Sequence, residues 1–71
     1  MIYESTKEGE IVRALQPGDI ARAMHPNSKA EALAEGSTAE ARVKGSRAKA
    51  CVAGSIAEAW APGAIAIPHA V

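Results

Sequence analysis

Two histidines and one cysteine have the greatest potential for catalysis or metal binding in this 71-residue sequence. A cysteine nucleophile needs a histidine base within hydrogen-bond reach, and a zinc ion needs several ligands that converge. In the flat sheet predicted below, His25 lies on one face and His69 on the other, and Cys51 lies two repeat units away from His69. We therefore predict no catalytic site, no metal site and no cofactor, and we expect that the protein is not an enzyme.

Three glutamates recur at equal spacing, and recurring carboxylates can act as a pair of catalytic acids. Glu31, Glu40 and Glu58 occupy equivalent places in a repeat. The predicted strand register sets uncharged side chains opposite each of them, so we interpret them as a solvated strand face.

Basic side chains are numerous enough to consider a nucleic-acid-binding patch, made of Arg13, Arg22, Arg42, Arg47 and Lys49. Eight acidic residues balance eight basic ones, there is no Phe, and there is one Trp. A nucleic-acid-binding surface usually combines excess positive charge with aromatic rings on which bases stack. We therefore predict no nucleic-acid partner. We predict no membrane partner either, because no apolar run reaches membrane-spanning length and MIYESTKEGE does not read as a signal peptide.

The elements that position these residues are set by a nine-residue repeat. Residues 28–63 read SKAEALAEG, STAEARVKG, SRAKACVAG and SIAEAWAPG, and the same frame covers the whole chain in eight units. The places of each unit are numbered one to nine here. Small residues dominate the third and fifth places, and Gly usually fills the ninth. The sequence therefore predicts a single repeat domain over residues 1–71.

Alternation within each unit predicts short β-strands. Ala39, Ala41 and Val43 alternate with polar residues, which is the period of a half-buried strand. Gly followed by Ser suits a two-residue hairpin turn. The sequence thus predicts an all-β fold of about eight short strands, an antiparallel meander with Gly-Ser hairpin turns, completed by oligomerisation. The pattern alone does not decide between a meander and a solenoid. The Pro residues before Gly18, Asn27 and Gly63 also leave the type of those turns open.

Two other folds are weaker readings of the same repeat. Ser28-x-x-Glu31 and similar spacings match helix capping boxes, but seven-residue helices are marginal and the alanines do not form one helical stripe. A nine-residue repeat is also typical of the calcium-binding β-roll, whose units carry GGxGxD. Asp19 is the only Asp and there is no Gly pair, so the calcium ligands are absent.

A sheet with one alanine-rich face would expose more apolar surface than monomers usually do. We therefore expect a partner to cover this interaction face, through Ala32, Ala41, Val43, Ala50, Val52 and Ala59. The outer units also carry large apolar residues where the middle units are polar. They predict an apolar edge made of Ile11, Leu15, Ile20, Met24, Ile56 and Trp60.

The run from 43 to 67, with Pro62-Gly63-Ala64-Ile65 near its end, resembles the tail of small decoration (cement) proteins of tailed-phage capsids. It covers about a third of the chain. The resemblance implies a non-enzymatic structural subunit that binds the outer capsid shell, often as a trimer, and a location on the virion. The sequence otherwise predicts a cytoplasmic location, and a small β-sheet adaptor that binds a protein or ligand through the apolar edge is the alternative function.

Overall fold

The computed structural model describes residues 1–69 and contains eight short strands, one in each repeat unit. The predicted all-β class and the nine-residue repeat are therefore confirmed. The strands are β1 (Ile2–Glu4), β2 (Ile11–Ala14), β3 (Ile20–Ala23), β4 (Lys29–Ala32), β5 (Thr38–Ala41), β6 (Arg47–Ala50), β7 (Ile56–Ala59) and β8 (Ile65–Ile67).

The strands pair with the next strand but one, not with the next strand. β1, β3, β5 and β7 form one four-stranded sheet, here called the odd sheet, and β2, β4, β6 and β8 form the even sheet. Every pair is parallel, and the partners are 18 residues apart, as in Ile2 with Ile20 and Ile11 with Lys29. The predicted antiparallel meander is wrong: the chain is a β-solenoid in which two units make one coil.

The turns explain why consecutive strands do not pair. At each corner the seventh-place carbonyl accepts a hydrogen bond, 3.0–3.4 Å long, from the first N–H of the next unit. The only positive φ in each turn belongs to the ninth place, at 81–84° for Gly and 63° for Asn27. Positive φ at the second central position is the type II turn, which favours Pro before Gly. Hairpins need types I′ or II′, so these turns lead the chain into the opposite sheet.

A serine hydroxyl forms hydrogen bonds within each of four corners, and three of these serines are buried. Ser28, Ser37 and Ser46 are fully buried in the first place. The Oγ of Ser46 donates to the Val43 carbonyl at 2.6 Å and accepts from the Val43 N–H at 3.3 Å. The repeated Ser therefore stabilises the corner through hydrogen bonds and is not an exposed residue of a hairpin turn.

The core lies between the two sheets and consists of alanine. Inward side chains occupy the third and fifth places, and the two sheets pack these small faces against each other. Burial of each methyl group stabilises the fold by about 0.8 kcal/mol. The alanine core therefore contributes little hydrophobic stabilisation. The backbone hydrogen bonds of the sheets and corners contribute an unusually large share of the stability of the fold. The alanines that are 0–2% exposed are Ala14, Ala21, Ala23, Ala30, Ala32, Ala39, Ala41, Ala48 and Ala50.

Candidate functional site

The three side chains considered for catalysis are not gathered around a common point. His25 lies at a corner, with its Nδ1 3.4 Å from the Ser5 Oγ. Cys51 and His69 occupy the same place of the repeat, 18 residues apart. The ladder of β6 and β8 nevertheless ends before His69, and the Cys51 Sγ lies 3.9 Å from the Lys49 carbonyl oxygen. Among residues 1–69, no cluster of three or more His, Cys, Asp or Glu could hold a metal ion.

Charged side chains on the outer face of the odd sheet form a connected network. Arg22 donates to Glu4 at 3.2 Å and to Glu40 at 2.9 Å, and Arg42 donates to Glu40 at 2.8 Å. The hydrogen bonds with Glu4 and Glu40 raise the pKa of Arg22. The Arg42 guanidinium also lies 3.9 Å from the ring centre of Trp60. Glu40 is 6% exposed, so it is a buried ion-pair partner and not the solvated carboxylate that the sequence predicts.

The other two recurring glutamates have different surroundings. Glu31 lies on the even sheet and accepts a hydrogen bond from Arg13 at 2.9 Å. Glu58 follows Glu40 in the odd sheet and accepts from the Trp60 indole N–H at 3.0 Å. Glu31 therefore lies on the opposite face from Glu40 and Glu58, which are neighbours in the odd sheet.

The basic residues considered as one patch also divide between the faces. A shallow groove of about 200 Å³ on the even sheet is lined by Lys29, Glu31, Arg47 and Lys49, together with Ala30 and Ile67. The odd sheet carries more acidic than basic groups on its outer face, and the even sheet more basic than acidic. The neutral chain therefore has two faces of different charge. Arg22 and Arg42 lie on the odd sheet, and Arg13, Arg47 and Lys49 lie on the even sheet.

Three of the six residues of the predicted interaction face are inside the molecule. Its buried alanines are covered by the opposite sheet of the same chain, whereas the sequence alone predicts that a partner covers them. Only Ala59, in the last coil, is exposed. Ala32, Ala41 and Ala50 are 0–2% exposed, and Val43 and Val52 are half-buried at the corners.

The residues of the predicted apolar edge do not form one continuous edge. The coil separates them between the two sheets. Ile20 and Ile56 lie in strands of the odd sheet, with Met24 and Trp60 directly after those strands, and Ile11 lies in the even sheet, with Leu15 directly after its strand.

The N-terminal end of the solenoid, here called the closed end, is covered by residues that depart from the repeat. Tyr3 and Val12 occupy third places that hold Ala from the third unit onward. Ser5 is 3% exposed, and its Oγ accepts a hydrogen bond from the Met24 N–H at 2.8 Å. Ala14 is fully buried although no strand precedes β2 in its sheet. At this end Val12 packs against the alanine core, whereas Tyr3 is 37% exposed.

An ion pair adds to the closed end. The Met1 amino group lies 3.0 Å from Oδ1 of Asp19, whose side chain is 6% exposed. Asp19 stands in the first place, where the middle units carry the corner Ser. Its Oδ2 is buried and has no hydrogen-bond partner among the described residues. At this end the charge pair therefore replaces the corner Ser.

The C-terminal end, formed by β7 and β8 and here called the open end, keeps the small repeat residues. Ala57 and Ala66 are partly exposed and Ala59 is exposed, whereas Ala39 and Ala41, one coil earlier, are fully buried. Large apolar side chains surround these alanines, and the exposed ones are Ile56 (51%), Trp60 (56%), Ile65 (47%) and Ile67 (42%).

The open end also presents free backbone groups. Within the solenoid, even-place N–H groups donate to odd-place carbonyls of the preceding coil, as from Trp60 to Ala41 at 2.8 Å. Odd-place N–H groups donate to the following coil, as from Ser5 to Arg22 at 3.0 Å. In the described chain no coil follows β7, so the N–H and carbonyl groups of Ala57 and Ala59 face outward. This end is the candidate site. The sequence predicts partner contacts for Ala59, Ile56 and Trp60 but does not group them at one end of the molecule.

The chain matches no protein-family model, and neither a curated protein nor a solved structure is significantly similar to it. No helix among the described residues is long and apolar enough to cross a membrane.

Proposed function

We propose that this chain is a small, non-enzymatic structural subunit that works by association with other protein subunits through its open end. The observation that carries the proposal is that Ala59, the fifth-place residue of β7, is exposed, whereas the fifth-place residues of the preceding coils are 0–3% exposed. A row of unpaired N–H and carbonyl groups beside exposed isoleucines is a template for pairing with another chain. Solenoids need polar or capped terminal repeats to remain soluble and separate. The open end lacks such a cap within the described chain.

The larger assembly that fits the sequence is a capsid shell, which the subunit would decorate or stabilise. The support is the resemblance of residues 43–67 to small phage cement proteins. Much of the open end, β7 and β8, lies within that run. Under this proposal the partners are further copies of the chain and the capsid surface, and the protein is located on the virion.

Light scattering and sedimentation velocity over a wide concentration range test the proposal. We expect a defined oligomer, together with hydrogen-exchange protection of the Ala57, Ala59 and Ala66 amides that increases with concentration. The Val12 amide at the closed end is the internal control, because its odd-place N–H points into the ladder at every concentration. A chain that stays monomeric, with those three amides unprotected throughout, would contradict the proposal and favour the adaptor.

A further inference from the structure

The outer face of the even sheet carries three basic side chains that have no acidic partner in the described chain. Lys29, Arg47 and Lys49 are exposed and form no ion pair with any residue that the structure describes. They line the shallow groove of about 200 Å³ on this face. We infer that this groove is a second docking surface, for an acidic segment of another protein whose carboxylates are bordered by apolar side chains. The inference does not depend on association through the open end.

The ladder places these cations next to one another. Lys29 and Arg47 are direct partners in neighbouring parallel strands, so their backbones are about 4.8 Å apart. Lys49 follows Arg47 by two places and points to the same side, about 6.6 Å along the strand. Like charges this close repel each other, which is unfavourable for the sheet. Carboxylates seated between the cations would relieve that repulsion.

The one carboxylate in the strands of the even sheet is already engaged. Glu31 is the ladder neighbour of both Arg13 and Lys49. Its Oε1 accepts a hydrogen bond from Arg13 at 2.9 Å, and Lys49 forms no ion pair with it. In the odd sheet, by contrast, Arg22 and Arg42 both have carboxylate partners. The even sheet therefore leaves its strand cations available to a partner.

Isoleucines border the cations on both sides. The second-place row across this face reads Ile11, Lys29, Arg47 and Ile65, and the two isoleucines are 44% and 47% exposed. The four strands of this sheet contain no aromatic residue on which a nucleic-acid base could stack. Cations between apolar side chains therefore fit a protein segment better than a chain of phosphates. Complementary charges at such a surface favour specificity and fast association.

A peptide titration tests this inference. The probe is a soluble peptide that repeats Leu-Glu-Glu, and its control is the same peptide with Gln in place of each Glu. The Glu peptide should shift the backbone amide NMR signals of Lys29, Arg47, Lys49 and Ile65, and the Gln peptide should not. Added sodium chloride should weaken the binding, because salt screens charges at an exposed surface.

Two variants with the same change in net charge provide a matched comparison. Arg47→Thr removes the central cation of the groove, and Thr38 shows that the second place of the repeat accepts Thr. This variant should raise the peptide Kd about tenfold or more, as expected for the loss of a close charge contact. Lys44→Thr removes an exposed cation at the corner after β5, which does not line the groove, and should change the Kd by less than about twofold. Thermal denaturation at low salt should show that Arg47→Thr is at least as stable as the parent, because it removes a like-charge contact.

Other results would overturn the inference. Equal binding of the Glu and Gln peptides, or no shift of the groove amides, would reject the acidic segment. Equal weakening by Arg47→Thr and Lys44→Thr would also reject it, since net charge alone would then explain the binding. Tighter binding of a DNA duplex than of the Glu peptide at the same amides would assign the face to nucleic acid instead. A chain that stays monomeric at every concentration, but binds the Glu peptide through the groove, would reject the proposed function and support the inference.

Discussion

Ala14 and Ala59 occupy the same place of the repeat in the coils at opposite ends of the solenoid, yet Ala14 is fully buried and Ala59 is exposed. The parallel ladder is alike at both ends. The difference coincides with a substitution: Val12 packs against the alanine core at the closed end, whereas the open end keeps Ala57 and Ala59. An end of a solenoid can therefore be closed by changing side chains within the repeat, without adding a capping element.

The largest expected effect is a difference in stability between the same substitution in the middle of the core and at the open end. Ala41→Leu inserts three carbons between two sheets that touch at alanine, so it should lower the free energy of unfolding by about 3 kcal/mol, at the upper end of overpacking costs. Ala59→Leu makes the same change one coil later, where the site is exposed, and should cost about 0.5 kcal/mol or less.

Urea denaturation, at a protein concentration too low for self-association, measures the free energy of unfolding of both variants. Similar losses at the two sites would mean that the last coil is as tightly covered as the middle, and the distinction between an open and a closed end would fail.

The second prediction compares two glutamates that are neighbours in the odd sheet. Glu40 is buried and accepts hydrogen bonds from Arg22 and Arg42, so Glu40→Gln should destabilise by about 1–3 kcal/mol. Glu58 is exposed at the open end, so Glu58→Gln should cost about 0–1 kcal/mol. Thermal and chemical denaturation of the two isosteric variants provide the comparison. A larger loss at Glu58 than at Glu40 would show that the ionic network does not depend on Glu40.

The strands and the small face could be predicted because they depend on local pattern. Alternation of Ala39 and Ala41 with polar residues fixes which side chains share a face, whatever that face packs against. The pairing partner could not be read from the same pattern, since an antiparallel meander and a parallel solenoid both bury the alanines. The meander prediction placed the covering sheet in another molecule, whereas the structure places it in the same chain.

Two signals in the sequence do favour the solenoid. Pro17-Gly18 is typical of a type II turn, which suits a corner better than a hairpin. Opposite charges also recur at a spacing of 18 residues, in Arg13 with Glu31 and in Arg22 with Glu40, and both pairs are ion pairs in the structure. Cross-strand neighbours of opposite charge stabilise a sheet, so this spacing indicates the coil length.

The candidate site was harder to predict, because the open end carries the same residues as the buried middle. Ala57 and Ala59 look like core alanines in sequence, and only their position in the last coil exposes them. The calcium-binding β-roll is excluded by its missing ligands, but a coil topology does not depend on the metal, so the pattern left the solenoid open.

The smallest expected difference concerns the corner glycines. Gly18 and Gly54 both have positive φ, at 84° and 83°, so replacing either by Ala should cost on the order of 1 kcal/mol. Their surroundings differ because a Cβ at this place points toward the preceding coil. At Gly18, in the first coil, it would meet nothing within 4 Å, whereas at Gly54 it would lie 2.7 Å from the Glu35 Cγ. Gly54→Ala should therefore destabilise more than Gly18→Ala, by several tenths of a kcal/mol to about 1 kcal/mol. Repeating both substitutions in a Glu35→Ala background removes the crowding atom and should make the two costs equal, as measured by urea denaturation. A difference that persists without the Glu35 side chain would mean that corner strain itself varies along the solenoid, and that the two ends differ in their backbone as well as in their side chains.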